Sequence, residues 1–168
     1  MFELKPISTD GIPKALEKAN HYRLLNEPRQ AESICRDVLH LDKANQKALV
    51  TLLLALTDQF GRGLSVSIEH AQEVLPRVQG DYEKAYYAGI IFERWAKAQL
   101  AQEAPGYVAY DWFEKAMSLY DKAQSLSPPE NDDAILRWNT CVRILKRNPQ
   151  IRPRLQEQTV EADFSDHV

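Results

Sequence analysis

The residues of this 168-residue chain that could do chemistry are its four histidines, two cysteines and scattered carboxylates. Imidazole and carboxylate at close spacing would hold a metal. A thiol or hydroxyl beside an imidazole would make an activated nucleophile. Neither pattern emerges. His21, His40, His70 and His167 lie on separate segments with no ligand spacing. Asp163, Asp166 and His167 share one short stretch, but it lies in an aperiodic end that lacks the fixed shell ligands need. Cys35 and Cys141 are far apart with no CxxC and sit on apolar helical faces, so both read as buried structural thiols. Glu93 and Arg94 read as ordinary helix-surface charges. No P-loop, GxSxG, HExxH or dinucleotide fingerprint occurs. The expectation is a protein without catalytic residues, cofactor or metal.

Charge offers a second kind of chemistry. The formal net charge is −3, which gives no general drive towards nucleic acid or anionic lipid. Yet Ala134 to Gln156 carries Arg137, Arg143, Lys146, Arg147, Arg152 and Arg154, Trp138 among them, and no acid. Such a patch could meet phosphates or an acidic partner. Six charges on one helix end and a tail make a small nucleic-acid footprint. A plainer reading is that Glu130, Asp132 and Asp133 at one helix end and Arg143, Lys146 and Arg147 at the other complement its dipole.

The elements that would position these groups are helices. Apolar residues are 44% and charged residues 27% of the chain, the balance of a globular domain. The first residues form no secretory signal. The longest apolar run, Leu52 to Leu56, falls far short of the roughly 20 residues of a membrane span. With nothing demanding an oxidising compartment, a cytoplasmic location is expected. Periodicity and punctuation predict seven helices, at about 12–25, 29–41, 45–60, 65–78, 81–104, 107–126 and 132–147, and no strand. The expected division is an N-terminal extension at 1–10, a helical domain at 11–147 and a flexible tail at 148–168.

Internal similarity separates a solenoid from a bundle. Ala116 to Asn131 runs small residue, Tyr120, Ala123, Leu126, Pro128, and Ala31 to Asn45 follows the same order with Cys35 in the aromatic place. Gly89 with Phe92, and Ala19 with Tyr22, repeat the upstream step. These residues resemble the tetratricopeptide repeat, an antiparallel helix pair of about 34 residues. The resemblance covers Ile12 to about Leu145. It implies an all-α, antiparallel helix-pair solenoid of about three pairs plus a C-terminal capping helix. The second pair matches poorly, with Ser67 in the alanine place. The third is lengthened by about four helical turns between Gly89 and Ala116, and would protrude.

The resemblance implies a protein-binding scaffold, adaptor or chaperone that holds a peptide or helix in a concave groove lined by the first helix of each pair. On that face fall Leu16, Asn20 and Arg23, then Val50, Leu54 and Asp58, then Tyr86, Ile90 and Arg94, and finally Ile135 and Asn139. The residues with which some relatives grip a terminal carboxylate are missing. Leu16, Thr51, Glu83 and Tyr87 stand in those places and only Asn20 matches. An apolar centre with a charged rim suits an amphipathic helix. The alternatives are that this face is covered by the chain's own tail (Leu155, Val160, Phe164) or by a second copy. Tyr107, Tyr110 and Trp112, at the break of the lengthened pair, would suit a homodimer.

Overall fold

The computed structural model describes residues 1–63 and 66–155. Seven α-helices and no strand occur among them: α1 Ile12–Leu24, α2 Pro28–Leu41, α3 Gln46–Thr57, α4 Ile68–Val74, α5 Asp81–Ala101, α6 Gly106–Leu126 and α7 Asp133–Arg147. None is long and apolar enough to cross a membrane.

Local chemistry sets most ends. Ser8 accepts from the Gly11 amide at 3.1 Å and opens a 3-10 turn, Thr9–Gly11, that leads into α1. Pro13 and Pro28 occupy first turns, where a missing N–H costs nothing. The Asn45 side chain accepts from the Ala48 amide at 3.0 Å and caps α3. The helix expected at 65–78 is shorter. Ser65 lies outside the described residues, His70 Nδ1 accepts from the Ser67 amide at the start of α4, and Pro76 tightens Leu75–Arg77 into a 3-10 turn.

Successive helices pack on one another, and α3 also packs on α1 and α5. One core cluster lies among α1–α4, reaching Ile91 and Ala98 of α5. A second lies among α5, α6 and α7. Leu54, Tyr87, Phe92 and Trp112 touch both.

The small residues have the packing role their spacing suggests. Ala19, Ala31, Ala116 and Ala123 are buried. At Gly89 a Cβ would stand 2.5 Å from the Tyr120 ring, so only glycine lets α5 and α6 close to this distance.

The lengthened α5–α6 pair is not left bare. Trp95 meets Phe60 edge-on, with ring centroids 5.2 Å apart. Gly61 lies against Ala98, and Phe92 stacks on Trp112 at 5.6 Å. On the other side, residues 148–151 fold back from α7. Ile151 is buried in the second cluster. The Gln150 carbonyl lies so close to Gly106 that a Cβ there would be 2.0 Å away. Arg154 sits over the Tyr107 ring at 5.3 Å. The packed region therefore runs past 147. Val160, Phe164, Asp163, Asp166 and His167 lie outside the described residues.

Candidate functional site

The shared face of α1, α3 and α5 carries a cavity of about 510 Å³. Leu16, Val50, Leu54 and Tyr87 give it an apolar floor, and Glu17, Asn20, Lys47 and Thr51 give it polar walls. Thr51 Oγ1 lies 3.5 Å from Asn20 Oδ1 across the α1–α3 seam. Four of the expected groove residues, Leu16, Asn20, Val50 and Leu54, thus come together.

The α5 contribution differs in phase. Ile90 is buried in the second core cluster, and Tyr87 takes the place at the cavity. Tyr86 stacks on Tyr82 at 5.7 Å and meets Tyr87 edge-on at 5.2 Å. Ile135 and Asn139 on α7 are half-buried and line no described part of this cavity.

Beyond the cavity lies a charge network. Asp58 accepts from Arg23 Nε of α1 at 2.8 Å and from Arg94 Nη1 of α5. Arg94 Nη1 also donates to Thr57 Oγ1 at 2.7 Å and to the Leu54 carbonyl at 3.2 Å. One carboxylate therefore joins three helices. Burial holds the Arg94 guanidinium below its ordinary pKa, with Asp58 opposing and Arg137 and Arg23 adding to the depression.

Glu93 is the larger departure from the sequence expectation. It is no surface charge but fully buried. Its carboxylate accepts from Tyr120 Oη at 2.5 Å, from Lys97 Nζ, and from Arg137 Nη1 of α7 at 3.3 Å. Burial alone would raise the Glu93 pKa. The Lys97 ammonium, the Tyr120 hydroxyl and Arg137 outweigh it and hold the carboxyl below its ordinary value. Burial and the neighbouring carboxylate push the Tyr120 phenol well up. Glu93 falls in the stripe Ala85, Gly89, Glu93, Ala96, the periodicity of a buried face. That spacing is the signal that marks it.

The basic segment divides. Arg137 turns inward to Glu93, while Arg143, Lys146 and Arg147 are exposed on the last turns of α7. Cys35 and Cys141 are free and buried, and burial pushes each thiol up to about 12. His21, His40 and His70 are exposed. No metal-competent group of His, Cys, Asp and Glu occurs among the described residues.

A second cavity, of about 450 Å³, lies between α6 and α7, lined by Tyr110, Met117, Trp138 and Leu145 with Glu114 and Asp121 at its rim. Comparison with protein-family models, with curated proteins and with solved structures finds no match.

Proposed function

We propose that the chain is a tetratricopeptide-like interaction module, a binding protein rather than an enzyme, that holds a segment of another polypeptide on the face shared by α1, α3 and α5. On this reading α1–α2, α3–α4 and α5–α6 are three stacked pairs and α7 caps them. Support comes from the contacts of α3 with both α1 and α5. Buried small residues at the paired seams and the Gly89–Tyr120 approach add to it. The observation that carries the reading is the 510 Å³ cavity, apolar in its floor and polar at its walls. A cavity of that kind accepts a few apolar side chains of an amphipathic helix or extended peptide.

The test is affinity capture with the full chain against its Val50→Glu variant, alongside Lys122→Glu on exposed α6 as a control. Val50 is half-buried in the cavity floor, so the change places charge in the groove without emptying the core. Ile90, buried, is unsuitable for that purpose. Loss of the captured partners in Val50→Glu, with helicity retained, supports the reading. An unchanged set of partners sinks it.

A second copy seated between α6 and α7 is the second reading. The cavity there, with Tyr110, Met117, Trp138 and Leu145 in its lining, favours it. Light scattering that returns a monomer at tens of micromolar removes it.

A further inference from the structure

The charges beyond the cavity do not balance. Two carboxylates, Asp58 and Glu93, are met by four cations, Arg23, Arg94, Lys97 and Arg137. Two positive charges are in excess, on a chain whose total is −3. The carboxylates are the more enclosed partners at Glu93, which has no exposed side chain. Arg23, Arg94, Arg137 and Lys97 keep 19%, 21%, 30% and 41% of theirs in contact with solvent.

The cations also keep unspent donors. A guanidinium carries five N–H groups. Among the described contacts Arg23 uses only Nε and Arg94 only Nη1. Burial is the main cause that lowers the Arg94 pKa; Asp58 opposes it, and Arg137 and Arg23 add smaller like-charge contributions. Like charges held at this range are stabilised by a further anion.

The cluster adjoins the cavity, although none of its charged residues lines it. Arg94 donates to the carbonyl of Leu54, whose side chain lines the cavity. On α1, Asn20 of the cavity wall lies one turn before Arg23. The cations are different residues from Leu16, Thr51, Glu83 and Tyr87, which stand in the places of a terminal-carboxylate grip, and three of those four line the cavity instead.

Resting on the reading that this face takes a polypeptide, we propose that its partner segment is acidic. An internal Asp or Glu side chain seats on the guanidiniums gathered around Arg94, and neighbouring apolar side chains enter the cavity. Planar guanidiniums match carboxylates in a way that a lysine cluster would not. A nucleic acid is disfavoured because its backbone needs a basic track, whereas these cations are half-neutralised and flank an apolar floor.

The experiment selects a random library of short displayed peptides on the immobilised full chain and titrates synthetic copies of the winners. The expected winners carry Asp or Glu beside apolar residues. Replacing those acids with Asn or Gln weakens binding about tenfold or more, as does high salt. Arg23→Gln and Lys97→Gln weaken it in the same direction. Lys97 also pairs with the buried Glu93, so both variants are checked for retained helicity, and the Asn and Gln replacements in the peptide keep the test open where either variant disturbs folding. Neutral or basic winners that are lost in Val50→Glu overturn the acidic preference and leave the groove standing. Acidic winners that ignore both Arg23→Gln and Lys97→Gln, or that oligothymidylate displaces, also overturn it. No winners, or winners indifferent to Val50→Glu, overturn the groove as well.

Discussion

The Tyr120 hydroxyl donates to the buried Glu93 carboxylate at 2.5 Å, 27 residues away in sequence and across the α5–α6 seam. The same carboxylate takes Lys97 from its own helix and Arg137 from α7. A buried charge is tolerated only when it is paired and hydrogen-bonded. Tyr120→Phe removes one charge-assisted bond and leaves the others. Urea unfolding should show a loss of about 1.5–3 kcal/mol. A loss near zero would mean that the remaining cations satisfy Glu93 without the phenol.

Acid should act through the same group. Its folded-state pKa is depressed, so its contribution is present above the ordinary value of 4.5 and is lost as pH falls through the lower folded value. The urea midpoint should therefore hold steady from neutral pH towards 4.5 and drop below it. In Glu93→Gln the midpoint should be lower at neutral pH, and the acid drop shallower. An equally steep drop in the variant would move the cause elsewhere.

Gly89→Ala sets two effects against each other. Alanine in a helix interior gains about 1 kcal/mol over glycine. The added Cβ meets the Tyr120 ring at 2.5 Å, and that ring is fully buried and tied to Glu93. Overpacking of this kind costs about 1–3 kcal/mol. The net change in thermal unfolding should be destabilising, and a raised melting temperature would show that the ring can move aside.

The two thiols should be silent. Both are buried and pushed up to about 12, and only a thiolate reacts quickly. Titration of the native chain with a disulfide reagent at neutral pH should give no fast-reacting thiol. The slow reaction should follow unfolding as denaturant is added. A fast single thiol in native conditions would show local opening around α2 or α7.

Residues 148–151 should contribute to stability although they lie beyond the last helix. Ile151→Ala removes buried apolar volume at the α5–α6–α7 cluster. The expected cost is about 2–5 kcal/mol, read from chemical denaturation. No change would mean that this segment packs without holding the fold.

Helix number and most boundaries were legible because their causes are local. Glu27-Pro28, Pro105-Gly106 and Ser127-Pro128 break the chain whatever surrounds them. The phase of α5 was harder. Its apolar residues run almost all round, so Tyr87 and Ile90 compete for the groove and only the neighbours α3 and α6 decide. The burial of Glu93 depends on Tyr120 and Arg137, 27 and 44 residues away, whereas a glutamate on a helix is ordinarily solvent-facing. Its stripe with Gly89 and Ala96 carried the opposite message. Ile151 follows no period at all, and its place is set by the bare backbone of Gly106.

Asp58 has a consequence for how the molecule comes apart. In a stack of repeated units each unit ordinarily senses only the one beside it, and the ends can melt while the middle holds. Here a single carboxylate at the C-terminal end of α3 is claimed by α1 on one side and by α5 on the other. Fraying of α1 would release Asp58 to Arg94 alone, and fraying of α5 would release it to Arg23 alone. The order of α1 and the order of α5 are thereby coupled through one carboxylate, and loss of either should weaken the hold on the other rather than stop at the next seam.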